Sequence, residues 1–341
     1  MVMPAFGQVQ MGNNVDTSIG YSSNRQVSLG SGMVRALYNL KTGPIRLAAD
    51  GYNKNCFPMI GEISNNTTII SFNVYEVANS YGWNGTQRLA ANLTISSGNV
   101  LIGQFSTNGV SEIIPTNSYI EIVNSGTLSG YGGSGGLGGY YSGGTVAPTA
   151  GTQGYTSVVA YAPLTINNTG IIGGGGGGGG ATATNGMFDP SPPGGGVANY
   201  AGAMGGGGAS YGPYYSNFGG YPYPSGNSGG LYVGGTGQWI SNLTGIDGAA
   251  INGYPGGAGG SVGSNGGDGH DQPGIYYYFP SGGGGGGLGG SGGRGGNAYV
   301  YNGFSPGVGG AGSAGGAAGY AIYGITNVTY KSTGTIYGST V

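Results

Sequence analysis

LTINNTGIIGGGGGGGG, residues 164–180, joins a strand-like phrase to eight consecutive glycines. Leu164 and Ile166 alternate with polar residues, a turn follows at Asn168-Thr169-Gly170, and Ile171 and Ile172 lead into Gly173–Gly180. Ordering bare glycine backbone is entropically costly, so a folded run needs many hydrogen bonds in return. One extended conformation offers them. The left-handed polyproline II helix has three residues per turn, rises about 3.1 Å per residue and bonds nothing internally, so every N–H and C=O points outward. Helices of this kind packed side by side satisfy one another's backbones. Eight residues span about 25 Å at that rise, and only glycine admits the close approach inside such a bundle.

The same plan recurs. YIEIVNSGTLSG (119–130), PLTINNTGIIGG (163–174) and, more loosely, NVTYKSTGTIYG (327–338) each combine alternating apolar residues, a turn glycine and a short apolar pair. They read as strand–turn–strand rungs whose turn glycines take positive φ. Their irregular spacing argues against a strict solenoid, but rungs that open and close the glycine region argue for order within it. Further candidate helices are 205–208, 253–260, 282–296 and 307–319. Interior helices should be almost pure glycine, and Leu288, Ser291 and Arg294, spaced by three, mark an outer one. A Gly-rich disordered tail is the alternative; similar run lengths and the bounding rungs favour the packed bundle.

Composition sets the limits. Of 341 residues 87 are glycine and 28 tyrosine, only 5% are charged, and the net charge is −2. Collagen needs glycine at every third position with abundant proline, against clustered glycines and 16 prolines here. No Lys/Arg run tracks a nucleic-acid backbone, so no nucleic-acid partner is expected. One cysteine, Cys56, excludes an internal disulfide framework. No signal-like start or long apolar stretch points to export or membrane insertion.

Six of the eight Lys/Arg residues precede residue 100, whereas 70 glycines fall between 127 and 320. The expected architecture is mainly β with a polyglycine II bundle that is neither α nor β. Four parts are expected: a small docking module at 1–54, a β-rich domain at 55–126, the glycine-rich sandwich at 127–320 and a closing strand pair at 321–341. In the first part RQVSL and GPIRLAAD flank a helical SGMVRALYNL. In the second, Ile70, Phe72 and Val74 alternate as in a half-buried strand, and Trp83 is a core or turn anchor.

Aromatic segments separate the glycine runs, and they supply the binding candidates Phe188, Tyr200, Tyr211, Tyr214, Tyr215, Phe218, Tyr221, Tyr223, Tyr232, Trp239, Tyr276, Tyr277, Tyr278, Phe279, Tyr299, Tyr301 and Phe304. Tyrosine among Ser, Gly and Asn is a paratope-like composition: a rigid amphipathic contact beside adaptable hydrogen bonds. Such rings also serve as a cover for the glycine layer, and both roles are expected. Asp268, His270 and Asp271 in GDGHDQ are close enough for metal or proton chemistry, but Asp beside Gly is ordinary turn chemistry. No catalytic residue, metal or cofactor is assigned.

FNVYEVANSYGWNGT, NLTISSGNVLIG and NSYIEIVNSGTLSGYGGSGG together resemble a module of bacteriophage tail and tail-fibre proteins. RQVSLGSGMVRALYNLKTGPIRLAADGYNK and YAIYGITNVTYKSTGTIYGSTV are similar to N- and C-terminal segments of the same proteins. Glycine runs alternating with Tyr-rich loops resemble the distal tail-fibre adhesins of T-even-like phages. The resemblance implies a non-enzymatic receptor-binding protein of the virion, at the tail or fibre tip, that docks on a tail or fibre protein through its N-terminal module. Its loops would meet an outer-membrane protein or surface polysaccharide of the host. An assembly-only structural component and a capsule-degrading enzyme are the competing classes.

Overall fold

The computed structural model describes residues 56–63, 67–69, 71–138, 140–141, 145–182, 205–210, 228–236, 243–244, 250–253, 257–271, 278–279, 281–297 and 311–341. The expected elements of residues 1–54 lie outside these. The chain first lays down β1 (Cys56–Ile63), β2 (Thr67–Ile69) and β3 (Phe72–Asn73), then β4 (Arg88–Ile95), β5 (Val100–Ile102) and β6 (Phe105–Ser106). β4 pairs in parallel with β1, β5 with β2 and β6 with β3. Each circuit therefore visits three sheets in turn. β7 (Tyr119–Asn124) and β8 (Thr127–Ser129) continue the first two sheets, and β11 (Val158–Val159) continues the third. β12 (Leu164–Asn168) and β13 (Ile171–Gly173) follow, then β17 (Ile322–Tyr323), β18 (Val328–Ser332) and β19 (Thr335–Tyr337). The result is mainly β, a three-faced parallel β-helix.

Parallel stacking places like on like. Phe72, Phe105, Val158 and Ile322 form one ladder along the third sheet, with the two phenyl rings stacked 5.9 Å apart. Leu101, Leu128, Ile172 and Ile336 form another along the second. Leu93, Ile122 and Ile166 line the first, and all these aliphatic side chains except the partly exposed Ile336 are buried. At the corner between the first and second sheets, Asn124 Nδ2 donates to Asn168 Oδ1 (2.8 Å) and Asn168 Nδ2 to the Thr333 carbonyl (2.6 Å). Each Asn Oδ1 also accepts the N–H two residues on, from Gly126 and Gly170. These asparagines are buried and fully bonded, which is what a polar core ladder requires.

Three local expectations change. The alternation through Val74 does not continue as a strand, because Asn73 Oδ1 accepts the N–H groups of Tyr75 and Glu76 and starts the helix α1 (Val74–Ser80). Val74 and Ala78, one turn apart, are its buried face. The two strands of each rung, β7 and β8, β12 and β13, and β18 and β19, do not pair with each other but lie in adjacent sheets across a corner. Of the three rung glycines, Gly126, Gly170 and Gly334, only Gly334 has positive φ (52°). Gly126 and Gly170 are needed for close approach, since a Cβ would overlap the carbonyls of Asn99 and Gly126.

The irregular rung spacing has a single cause: the chain makes excursions after β8 and after β13, between the second and third sheets. In sheet geometry Ile171 pairs with Thr127 and Gly173 with Ser129. Beyond the strands, Gly130, Gly133 and Gly136 donate to the carbonyls of Gly173, Gly176 and Gly179. The hydrogen-bond repeat lengthens to three residues. Gly174, Gly177 and Gly180 donate to Tyr337, Gly290 and Gly293, Gly175 and Gly178 to Tyr155 and Thr152, and Gly176 and Gly179 to Ala209 and Gly206. Carbonyls of the same run accept from segments 130–136, 283–289 and 313–319. Six segments thus surround residues 173–180.

Residues 282–287, also pure glycine, are bonded in the same way to 177–180, 206–209, 235, 257–260, 264–267 and 290–293. Two adjoining centres that share two neighbours are the signature of hexagonal packing. A Cβ on any residue from Gly174 to Gly180 would overlap a carbonyl of 130–136, 283–287 or 313–319, the direction turning by a third at each residue. Arg294 is exposed and Ser291 partly so, its Oγ accepting Ala318 N–H from a neighbouring run, whereas Leu288 is fully buried in the turn between two runs, its side chain against Gly173.

Candidate functional site

Hydrogen-bond direction orients every run. The end of the bundle at Gly174 and Gly289 abuts the β-helix, where Gly174 N–H meets the Tyr337 carbonyl. Gly136, Gly151, Gly180, Gly205, Gly257, Gly282, Gly296 and Gly312 mark the far end, as their mutual bonds and close approaches show. The chain positions that bound 138–148, 183–204, 237–256, 271–280 and 298–310 therefore all lie at that far end. Residues 211–227 are bounded instead by Ser210 and Gly229–Gly230 at the β-helix end, where Ser210 N–H donates to the Gly230 carbonyl and Ser210 Oγ lies 3.0 Å from Ser129 Oγ.

Short polar side chains close the far-end segments at their bases. Thr149 N–H donates to the Leu137 carbonyl, and its Oγ1 accepts Leu137 N–H at 2.7 Å. His270 N–H donates to Ser281 Oγ (2.8 Å), and Gly312 N–H to Asn297 Oδ1 (2.9 Å). Ser313 Oγ accepts Ala181 N–H (2.7 Å) and donates to the Thr149 carbonyl (2.6 Å), tying three bases together. Two segments also share backbone pairing: β14 (Leu243–Thr244), β15 (Ala250–Gly253) and β16 (Tyr278–Phe279) form a small sheet in which Asn252 pairs with Tyr278.

Of the aromatic candidates, Tyr278 and Phe279 have described backbone in β16. Tyr232 is partly exposed at the β-helix end, its hydroxyl 2.9 Å from Thr127 Oγ1. The others lie outside the described residues. In sequence, Phe188, Tyr200, Trp239, Tyr276, Tyr277, Tyr299, Tyr301 and Phe304 fall between described residues at the far end, and Tyr211, Tyr214, Tyr215, Phe218, Tyr221 and Tyr223 between Ser210 and Gly229. Tyr140 and Tyr141, not among the candidates, form β9 and pair with β10 (Thr145–Val146).

The GDGHDQ carboxylates are committed to structure. Asn265, Asp268 and Asp271, spaced by three, accept the N–H groups of Ser291, Arg294 and Asn297, also spaced by three. Arg294 Nη1 lies 2.8 Å from Asp271 Oδ1, and Arg294 Nε lies 3.6 Å from Asp268. The side-chain bond from Arg294, then the backbone N–H of Asn297, holds the Asp271 carboxyl below the usual carboxylate range. On the β-helix, buried Glu121 binds Lys331 Nζ (2.5 Å) and accepts from the Tyr119 hydroxyl (2.8 Å). Burial foremost pushes Tyr119 up to about 12, against the lowering effect of Lys331.

No curated protein matches the chain. Among solved structures it is similar to the gp37–gp38 adhesin tip complex of the long tail fibre of bacteriophage S16, at 20% identity and a TM-score of 0.48 over 98% of this chain and 99% of that one. Residues 60–341 match the family described as phage tail fibre adhesin Gp38. That match takes in the β-helix from within β1 onward and all the glycine runs, and the chain belongs to the phage tail fibre adhesin Gp38 family.

Proposed function

We propose that this adhesin, at the tip of a phage tail fibre, holds the host surface through aromatic segments at the far end of a polyglycine II bundle. The observation that carries the reading is convergence: five separate segments are bounded at one end of one bundle, so chain stretches distant in sequence are presented together. The three-residue bonding repeat and the two all-glycine centres support polyglycine II helices, whose outward N–H and C=O groups suit hexagonal packing. Residues 1–54 are proposed to seat the chain on the tail fibre protein. The partner at the far end is an outer-membrane protein or a surface polysaccharide of the host.

Attachment of this kind needs no bond-making. The Asp268 and Asp271 carboxylates pair with Arg294 and backbone N–H groups, which supports a binding rather than a catalytic role for this region. Replacing Tyr276, Tyr277 and Tyr278 by alanine is expected to leave thermal unfolding unchanged and to abolish the ability of purified protein to block phage adsorption. Full blocking by this variant would remove the assignment.

A further inference from the structure

A second aromatic surface lies on described residues away from the far end. Tyr131 opens the 130–136 run, Tyr155 closes 151–155, Tyr320 follows 313–319, Tyr323 lies in β17 and Tyr161 follows β11. Backbone bonds set them side by side: Tyr155 N–H donates to the Tyr131 carbonyl, and Ser157 N–H to the Tyr320 carbonyl. The rings touch in two neighbouring groups, Tyr131 with Tyr155 (6.2 Å, 77°), and Tyr320 with Tyr323 (6.2 Å, 44°) and Tyr323 with Tyr161 (6.1 Å, 69°). These keep 61% (Tyr155), 41% (Tyr161), 36% (Tyr320) and 43% (Tyr323) of their surface in water. Their hydroxyls make no hydrogen bond among the described residues.

The surroundings narrow the occupant. No Asp, Glu, Lys or Arg occurs from residue 127 to 188 or from 295 to 330, the stretches that carry all five tyrosines. These stretches themselves offer an ionic partner no countercharge. Thr152, Gln153 and Ala317 expose small or uncharged side chains beside the row. The electropositive C–H face of a pyranose ring meets the negative face of an aromatic ring, and sugar hydroxyls match unpaired phenol tips. We infer that this tyrosine row is a second binding surface, for a neutral stretch of cell-surface polysaccharide. The inference rests on the adhesin reading and adds a contact beside the far-end one.

The test uses the full chain and cells to which it adsorbs. Polysaccharide is released from their lipopolysaccharide by mild acid, dephosphorylated, and titrated against the protein by saturation-transfer NMR. Wild type is expected to bind, and the double variant Tyr155→Ser/Tyr323→Ser to bind about tenfold more weakly with an unchanged melting temperature, since both rings are exposed. The alanine variant at Tyr276–Tyr278 is expected to keep polysaccharide binding while losing adsorption. Absence of wild-type binding, or equal binding by the double variant, overturns the inference. So does a double variant impaired only toward outer-membrane protein in glycan-free nanodiscs. Adsorption left intact by the Tyr276–Tyr278 variant counts against the far-end reading alone.

Discussion

Gly177→Ala tests the bundle at its centre. Gly177 N–H donates to the Gly290 carbonyl at 2.9 Å, and its own carbonyl accepts from Gly286 at 2.8 Å. A Cβ there would overlap the Gly316 carbonyl oxygen and lie 2.6 Å from the carbon. Restoring ordinary contact requires the 313–319 segment to withdraw by about 1 Å. That movement stretches three buried bonds, from Ser313 to Ala181, from Gly316 to Gly178 and from Gly319 to Gly175, now 2.7–2.9 Å long. At about 1 kcal/mol each, plus about 1–3 kcal/mol for forced displacement in a packed interior, less about 0.4–1 kcal/mol gained by restricting the unfolded chain, the net loss is about 3–5 kcal/mol. Denaturant unfolding with hydrogen exchange on peptides covering 174–180 and 313–319 reads it, and both peptides should lose protection. Gly230→Ala is the control, because its Cβ would meet nothing nearer than the Val233 carbonyl at 3.8 Å. A Gly177→Ala protein within about 1 kcal/mol of wild type refutes close packing around this run.

Three further outcomes are expected. Asn168→Ala strips bonds to Asn124, the Thr333 carbonyl and Gly170 N–H and should lower unfolding stability by about 2–4 kcal/mol. Ser313→Ala should cost about 1–3 kcal/mol and increase exchange at Ala181, with the β-helix amides unaffected. The alkaline limb is set by Tyr119 and Lys331. Tyr119 is raised to about 12, and Lys331 is also raised, burial opposing its bonds to Glu121 and Tyr119. Groups with raised folded-state values protect below their unfolded values near 10, and that protection is lost as pH rises toward the folded ones. Stability should therefore fall between about pH 10 and 12, and Tyr119→Phe should flatten the fall measured by urea titration.

The three-residue repeat of the glycine runs is already present in residue spacing, as at Ser291 and Arg294. Leu288 fits the same spacing yet is buried, since it occupies a turn rather than a run; spacing carries no information on where a run stops. The rungs were visible as alternation about Asn124 and Asn168. Their mutual stacking was hidden by long insertions, which separate coils in sequence while leaving them adjacent in space. Val74 misled because its alternation with Phe72 competes with a local cap from Asn73. The bases of the far-end segments were illegible: Thr149, Ser281, Asn297 and Ser313 are common loop residues, and their roles depend on partners up to 164 residues away.

Gly130, Gly133 and Gly136 meet Gly173, Gly176 and Gly179 at one constant offset that begins in the sheet. A lattice of identical members has no memory of position: slide one glycine run by three residues and its interior bonds re-form unchanged. The index must therefore be stored at the boundary, in the strands that launch the runs and in the serines, threonines and asparagines that pin their far ends. With addressing kept apart from the rods, the segments between them are free to change length and composition without the lattice having to be rebuilt. A scaffold so indexed lets its outer loops be rewritten one at a time.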